Sequence, residues 1–163
     1  MLKQAIKEGI VVSIAQQSLS FYAEGKLLKS YPVSTSLKPP SCEQDSWGTP
    51  WGEHIIIDKI GAQAPLGMVF KGRKPTGKLY TEYSVEDQAG DLITSRILRL
   101  RGEEEGINSG GSCDTYKRMI YIHGTNHESK IGQPLSKGCI RMCNNAIAEL
   151  FDLVEVGTRV WIS

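Results

Sequence analysis

Apolar residues in this chain come in short runs, broken by glycine, proline and polar pairs, and only one run carries helical spacing. That pattern excludes a helical bundle and points to strands joined by turns. Ile10 to Ile14, Leu19 to Ala23 and Lys26 to Val33 read as opening strands. Glu24-Gly25-Lys26 suits a tight hairpin, because Gly25 can take the positive φ that primed turns require. From Ser34 to Gly52 the composition shifts to Ser, Pro, Gly and Trp, a loop long enough to be functional. His54 to Ile60 reads as a strand, followed by a Gly/Pro-rich stretch through Gly77. Leu92 to Leu100 alternates at Ile93, Ser95, Ile97 and Arg99, as a half-buried strand does. Arg118 to His123 is a further strand, with Met119, Tyr121 and His123 on one face and Ile120 and Ile122 on the other. The helix comes late. Asn144-Asn145 supplies its N-cap, Ile147, Leu150, Phe151 and Val154 follow at helical spacing, and Gly157 ends it before a closing strand at Arg159 to Ile162. The reading is a mainly β domain with one clear α-helix near the C-terminus. With no repeat and no linker, residues 1–163 are expected to form one domain.

Composition narrows the function classes. Formal net charge is +1, and the basic residues are scattered rather than gathered into a stripe, so neither nucleic acid nor a membrane surface is an expected partner. No apolar run approaches the roughly 18 residues needed to span a bilayer. Met1 to Ser20 lacks the uninterrupted apolar stretch of a signal peptide, since Ser13, Gln16 and Gln17 break it. If Met1 is the natural start, the expected compartment is the cytoplasm; otherwise it is the periplasm or the cell-wall face. Four cysteines, Cys42, Cys113, Cys139 and Cys143, are too few and too irregular for a disulfide framework.

The chemistry-bearing residues are concentrated in two runs, Ile120-Tyr121-Ile122-His123-Gly124-Thr125-Asn126 and Ser136-Lys137-Gly138-Cys139-Ile140-Arg141. A cysteine nucleophile needs thiolate character, a base, an oxyanion hole and a hold on its substrate. Lys137 and Arg141 flank Cys139 with positive charge, which is expected to lower the thiol pKa. His123 is the candidate base, with an ordinary pKa already near neutrality. Gly138 allows close backbone approach, and the amides of Gly138 and Cys139 can face a developing oxyanion. Arg141 can grip a carboxylate with two parallel hydrogen bonds. The other cysteines lack such flanks and read as small core residues.

At these residues the sequence resembles the L,D-transpeptidase (YkuD-type) catalytic domain family. The family pattern of His-Gly, then Ser/Thr-His-Gly-Cys, an apolar residue and Arg or Asn is met by His123-Gly124, Ser136, Gly138, Cys139, Ile140 and Arg141. Thr49-Pro50-Trp51-Gly52 resembles the family's Thr-Pro-x-Gly turn, and Gly157 to Val160 its closing strand. Lys137 departs from the pattern, standing where the family has histidine. The resemblance implies a β-sandwich with a short helix packed on it, and no cofactor. It also implies a peptidoglycan stem peptide or muropeptide as substrate, with Cys139 attacking the carbonyl of the third residue and expelling the terminal D-alanine. His123 would manage protons while the carbonyl of Gly124 orients it. Ser136, Lys137, Tyr121, Arg141 and His54, beside the Thr-Pro-x-Gly turn, are the expected substrate-binding residues. Carbapenem-type inhibitors are expected to acylate the same thiol. Water as acceptor gives a carboxypeptidase, and an amine gives a crosslink.

Two readings of other classes compete. His123 and His127 are four apart, as are Cys139 and Cys143, a spacing compatible with a structural Cys2His2 zinc module. Lys137 also leaves room for a catalytically inert cell-wall binding domain.

Overall fold

The computed structural model describes residues 7–163, so the first six residues of the expected opening segment lie outside the described residues. Ten strands are hydrogen-bonded into one connected sheet: β1 (Gly9–Ser13), β2 (Ser18–Ala23), β3 (Lys26–Pro32), β4 (Gly52–Ile60), β5 (Met68–Lys71), β6 (Lys74–Leu79), β7 (Ile93–Gly102), β8 (Tyr121–Thr125), β9 (Ile140–Met142) and β10 (Arg159–Ile162). A single helical turn, α1 (Val85–Gln88), precedes β7, and the main helix, α2 (Asn144–Leu153), lies between β9 and β10. The main path runs β3-β2-β1-β10-β4-β7-β5-β6, with β8 and β9 branching from β7.

Ten-residue β7 is the hub. It pairs with β4 through Ile97–Gly102, with β5 at Ile93 and Thr94, and with β8 from Ile93 to Arg99. Beyond β3, isolated bridges join Ser34 to Arg141 and Ser36 to Ser136, so the far end of the path returns to the β8–β9 branch. The enclosed core draws Ile10, Leu19, Ile56, Leu98, Ile122, Ile140 and Met142 from the strands, and Ile147, Leu150 and Phe151 from α2. This is the mainly β, sandwich-like arrangement with one main helix that the strand pattern suggested.

Local departures have physical causes. The Glu24–Gly25 hairpin has positive φ at both turn residues (52° and 75°), the primed-turn geometry expected. The Gly/Pro-rich stretch holds a hairpin that alternation did not reveal, because β5 buries two adjacent residues, Val69 and Phe70, and β6 is exposed from Lys74 to Lys78. The strand expected from Arg118 begins only at Tyr121. Met119 has φ 57°, and the amides of Arg118 and Met119 close turns onto Asp114 and Tyr116 carbonyls. The N-cap of α2 is Cys143, not Asn144, and its side chain makes no capping bond. Asn144 is instead the buried centre of a network: its Oδ1 accepts from Thr94 Oγ1 and Ser95 Oγ, and its Nδ2 donates to Thr125 O and Glu128 Oε1. The helix stops at Leu153, before Gly157, when Val154 turns to extended backbone.

Candidate active site

Parallel pairing of β8 with β9 sets His123 opposite Arg141 and Ile122 opposite Ile140, which brings Cys139, one residue earlier, beside Tyr121. Because side chains alternate across a strand, Ile122, Ile140 and Met142 enter the core while Tyr121, His123, Cys139 and Arg141 share the opposite face. Ile97 of β7 pairs with His123 on that face, and packs with Tyr121 and Phe70 in a small apolar cluster that Cys139 touches. Diagonal neighbours across paired strands have Cβ atoms about 7 Å apart, close enough for an imidazole and a thiol to communicate.

The thiol is half-buried and held by backbone. Tyr121 N–H donates to Cys139 Sγ at 3.3 Å, and the thiol donates to Met119 O at 3.6 Å. Burial pushes its pKa up to about 11. The Tyr121 amide and the Arg118 and Arg141 guanidiniums pull it down, and Asp91 adds to the rise. The expectation that flanking charge would lower this pKa is therefore corrected, because desolvation outweighs the cations. Lys137, the nearer flank in sequence, has an exposed side chain.

His123 is 2% exposed. Its Nδ1 lies 2.6 Å from Gly124 O. A carbonyl can only accept, so Nδ1 carries the proton and Nε2 the lone pair. Nε2 makes no hydrogen bond among the described residues, and it is not one of the sealed, unpaired buried atoms. Burial lowers the His123 pKa, against opposing contributions from the Gly124 bond and Asp91. At neutral pH the resting pair is a neutral imidazole and a neutral thiol. Gly124 has no room for a side chain, since a Cβ there would sit 2.5 Å from Thr94 O and 2.7 Å from Asn144 Oδ1.

The approach to the thiol is braced from three sides. Ser136 Oγ donates to Cys139 O at 2.6 Å and accepts from Gly138 N–H at 3.3 Å. Thr49, from the Thr-Pro-x-Gly turn, donates to Gly138 O at 2.9 Å and accepts from Ser36 N–H. Arg118 donates to Ser41 O and Gly48 O, tying down the long 34–52 loop. Gly138 has φ 126°, a conformation that favours glycine. The Cys139 amide donates to no protein acceptor among the described residues, which leaves it free to face an oxyanion.

Several candidates sit differently from expectation. Arg141 is buried, with Nη1 on Asp91 Oδ1 at 3.0 Å and Nη2 on Ser34 Oγ at 2.9 Å. It grips a carboxylate of its own chain, so the two-pronged hold on substrate is corrected to an internal strut. His54 does not line a cleft. It is fully buried between Gly52 O and Thr115 Oγ1, and burial takes its pKa down to about 4. Ser136 is likewise spent on the loop that carries Cys139. Tyr121 is buried against that sulfur, and its hydroxyl accepts from Arg73 Nη1 at 3.0 Å. Asp91, Met119, Arg118 and Arg73 were not singled out from sequence, since none belongs to a local motif with Cys139.

The zinc spacing does not survive folding. β8 ends at Thr125, so the four-residue interval does not place His123 and His127 together. His127 Nε2 is 2.8 Å from Gln88 O, beside α1. Cys143 caps α2, across β9 from Cys139. Among the described residues, no three His, Cys, Asp or Glu side chains gather closely enough to hold a metal. A cavity of about 610 Å³ is lined by Ile14, Trp51, Glu104, Ile107 and Trp161 among others, and by none of the residues around the thiol.

Comparison with known proteins gives the family. The family model of the L,D-transpeptidase catalytic domain, YkuD, matches residues 7–162. The chain is 56% identical over 164 residues to the probable L,D-transpeptidase ErfK/SrfK of Escherichia coli (strain K12), covering 99% of this chain and 46% of that one. It is 46% identical over 159 residues to the protein named as an L,D-transpeptidase, YkuD, in Bacillus subtilis (strain 168), covering 94% of this chain and 65% of that one. The chain thus spans about half to two-thirds of the length of these curated relatives. Among solved structures, LdtMt1 in complex with imipenem superposes with a TM-score of 0.58 at 20% identity, over 94% of this chain and 57% of that one, a likeness of fold. A family model covering nearly the whole chain, a relative more than half identical, and a cysteine entering the strand beside the histidine's lead to one conclusion: the chain belongs to the L,D-transpeptidase (YkuD) catalytic domain family.

Proposed function

We propose that this chain is a cysteine acyltransferase acting on peptidoglycan stem tetrapeptides, with Cys139 as nucleophile and His123 as general base and acid. The observation that carries the reading is His123 itself: Nδ1 is tied to Gly124 O, and Nε2 keeps its lone pair on the face shared with Cys139.

A resting thiol with a pKa near 11 does not attack as a preformed thiolate at neutral pH. Its proton passes to His123 Nε2 as sulfur bonds to the carbonyl carbon of the third stem residue. The free Cys139 amide faces the resulting oxyanion, while the expected second donor, Gly138 N–H, is already engaged by Ser136 Oγ. The imidazolium gives its proton to the departing amine of the terminal D-alanine, the C–N bond breaks, and a thioester remains on Cys139. Water or an acceptor amine then attacks the thioester, with His123 taking a proton and returning one to sulfur. One acyl-enzyme therefore serves both a carboxypeptidase and a crosslinking outcome.

Incubation with purified disaccharide-tetrapeptide tests the reading. Tripeptide or crosslinked dimer is the expected product, and Cys139→Ala should yield neither. Imipenem should leave one covalent adduct by intact mass, absent in the same variant. No turnover and no adduct on pure, folded protein would point to the inert binding domain instead.

A further inference from the structure

Three guanidinium groups crowd the corner formed by Tyr121 and Cys139, and among the described residues none of them forms an ion pair. They are not equivalent. Arg118 spends its donors on Ser41 O, Ser46 Oγ and Gly48 O. Arg99 lies on the same cross-strand row as Tyr121, with its guanidinium 3.8 Å from the Tyr116 ring centroid and its Nε buried and unpaired. Arg73 is partly exposed, donating only to Tyr121 Oη at 3.0 Å and, weakly, to Met119 Sδ at 3.8 Å. Those two residues are the ones whose backbones hold the Cys139 sulfur. Arg73 thus contacts the side chains, and Cys139 the backbones, of the same two residues.

The backbone under Arg73 adds a second observation. Gly72 and Arg73 form the two-residue turn between paired Lys71 and Lys74, with φ of 56° and 64°. Such turns favour Asn-Gly or Gly-Gly, and a long side chain at the second position is disfavoured. Nothing in the turn itself calls for arginine. Backbone strain of this kind clusters at functional sites, and here the strained residue reaches Tyr121, the neighbour of the thiol.

We propose that Arg73 is a specificity-determining residue that reads a substrate carboxylate next to the scissile bond, the β5–β6 hairpin holding it against Tyr121, whose amide binds the Cys139 sulfur. This inference rests on the acyl-transfer reading above. A tetrapeptide stem ends in a free carboxylate one residue beyond the attacked carbonyl, and its diamino acid carries another. An unpaired guanidinium is the side chain best suited to either.

The test compares wild type, Arg73→Gln, Arg73→Lys and, as a hairpin control, Lys74→Gln. Substrates are disaccharide-tetrapeptide with a free terminal D-alanine, the same with terminal D-alaninamide, and the same amidated on the diamino acid. Loss of a charge-assisted bond predicts a roughly tenfold to hundredfold fall in kcat/KM for Arg73→Gln on the free acid. Arg73→Lys should recover part of it and Lys74→Gln should match wild type. The amide that no longer distinguishes wild type from Arg73→Gln identifies the carboxylate being read. Iodoacetamide labelling of Cys139 should proceed equally in wild type and Arg73→Gln, showing an intact site. Unchanged kcat/KM in Arg73→Gln, or an equal loss on all three substrates, overturns the proposal while leaving the acyl-transfer reading in place. Absence of turnover by wild type overturns both.

Discussion

The two faces of the β7–β8–β9 layer are built from alternate residues of the same strands and behave as different materials. Inward, Leu98, Ile122, Ile140 and Met142 are fully buried against α2 and the other strands. Outward, Arg99, Tyr121, His123, Cys139 and Arg141 carry polar or reactive groups, and each is held by a specific hydrogen bond or a cation–ring contact. The inner face tolerates reshaping as long as volume is kept; the outer face depends on individual atoms. A period of two residues separates the two, so a one-residue slip of β9 would bury the thiol and expose the core.

Substitutions on the two faces should therefore separate activity from stability. Cys139→Ala should cost at least about a thousandfold in turnover while shifting thermal unfolding little, as kinetics and calorimetry on one preparation would show. Ile140→Ala, one residue along and facing inward, should lower stability by about 3 kcal/mol through the cavity it leaves, read by urea unfolding. If that variant lost activity without losing stability, the division into faces would be wrong.

His54 tests whether a buried histidine away from the outer face is purely structural. Its pKa falls from 6.5 to about 4 on burial, so the folded state holds fewer protons than the unfolded state between those values. The stability it contributes is present above pH 6.5 and lost as pH falls through about 4, on the order of 3 kcal/mol. Unfolding measured at pH 7 and pH 4 should show this loss, and a variant lacking the histidine should show a shallower one. Asp91→Asn should cost about 2 kcal/mol, less than a sealed pair would, because the Asp91 side chain is 20% exposed. It should also lower kcat more than KM is raised, by loosening Arg141 beside His123. The smallest effect is expected at Arg73→Gly, which relieves the left-handed turn and should raise stability by about 0.5 kcal/mol while lowering activity. A stability loss there would show that the hairpin needs the side chain for folding.

Much of the layer was legible in advance. Alternation in Leu92–Leu100 and the apolar periodicity of Ile147, Leu150 and Phe151 located β7 and α2, because burial on one face leaves a repeat in the sequence. The Gly124 carbonyl beside His123 followed from the family resemblance, and the distance agrees with it. The β5–β6 hairpin was hidden, since β6 is exposed on both faces and four-residue β5 buries adjacent Val69 and Phe70, so neither leaves an apolar period of two. Asn144 was misread because the residue types that cap a helix also serve as four-way hydrogen-bond junctions, and only its neighbours decide which.

By itself the chain determined which residues alternate, where glycine is obligatory, and that a Gly-Cys pair follows a His-Gly strand. These are local properties, governed by sterics and hydrophobic period. Tertiary structure decided the electrostatics. It buried Arg141 on Asp91, left Arg73 without a carboxylate, and raised the Cys139 pKa despite the cations around it. Desolvation and charge pairing depend on residues distant in sequence, and no local pattern records which of them will meet.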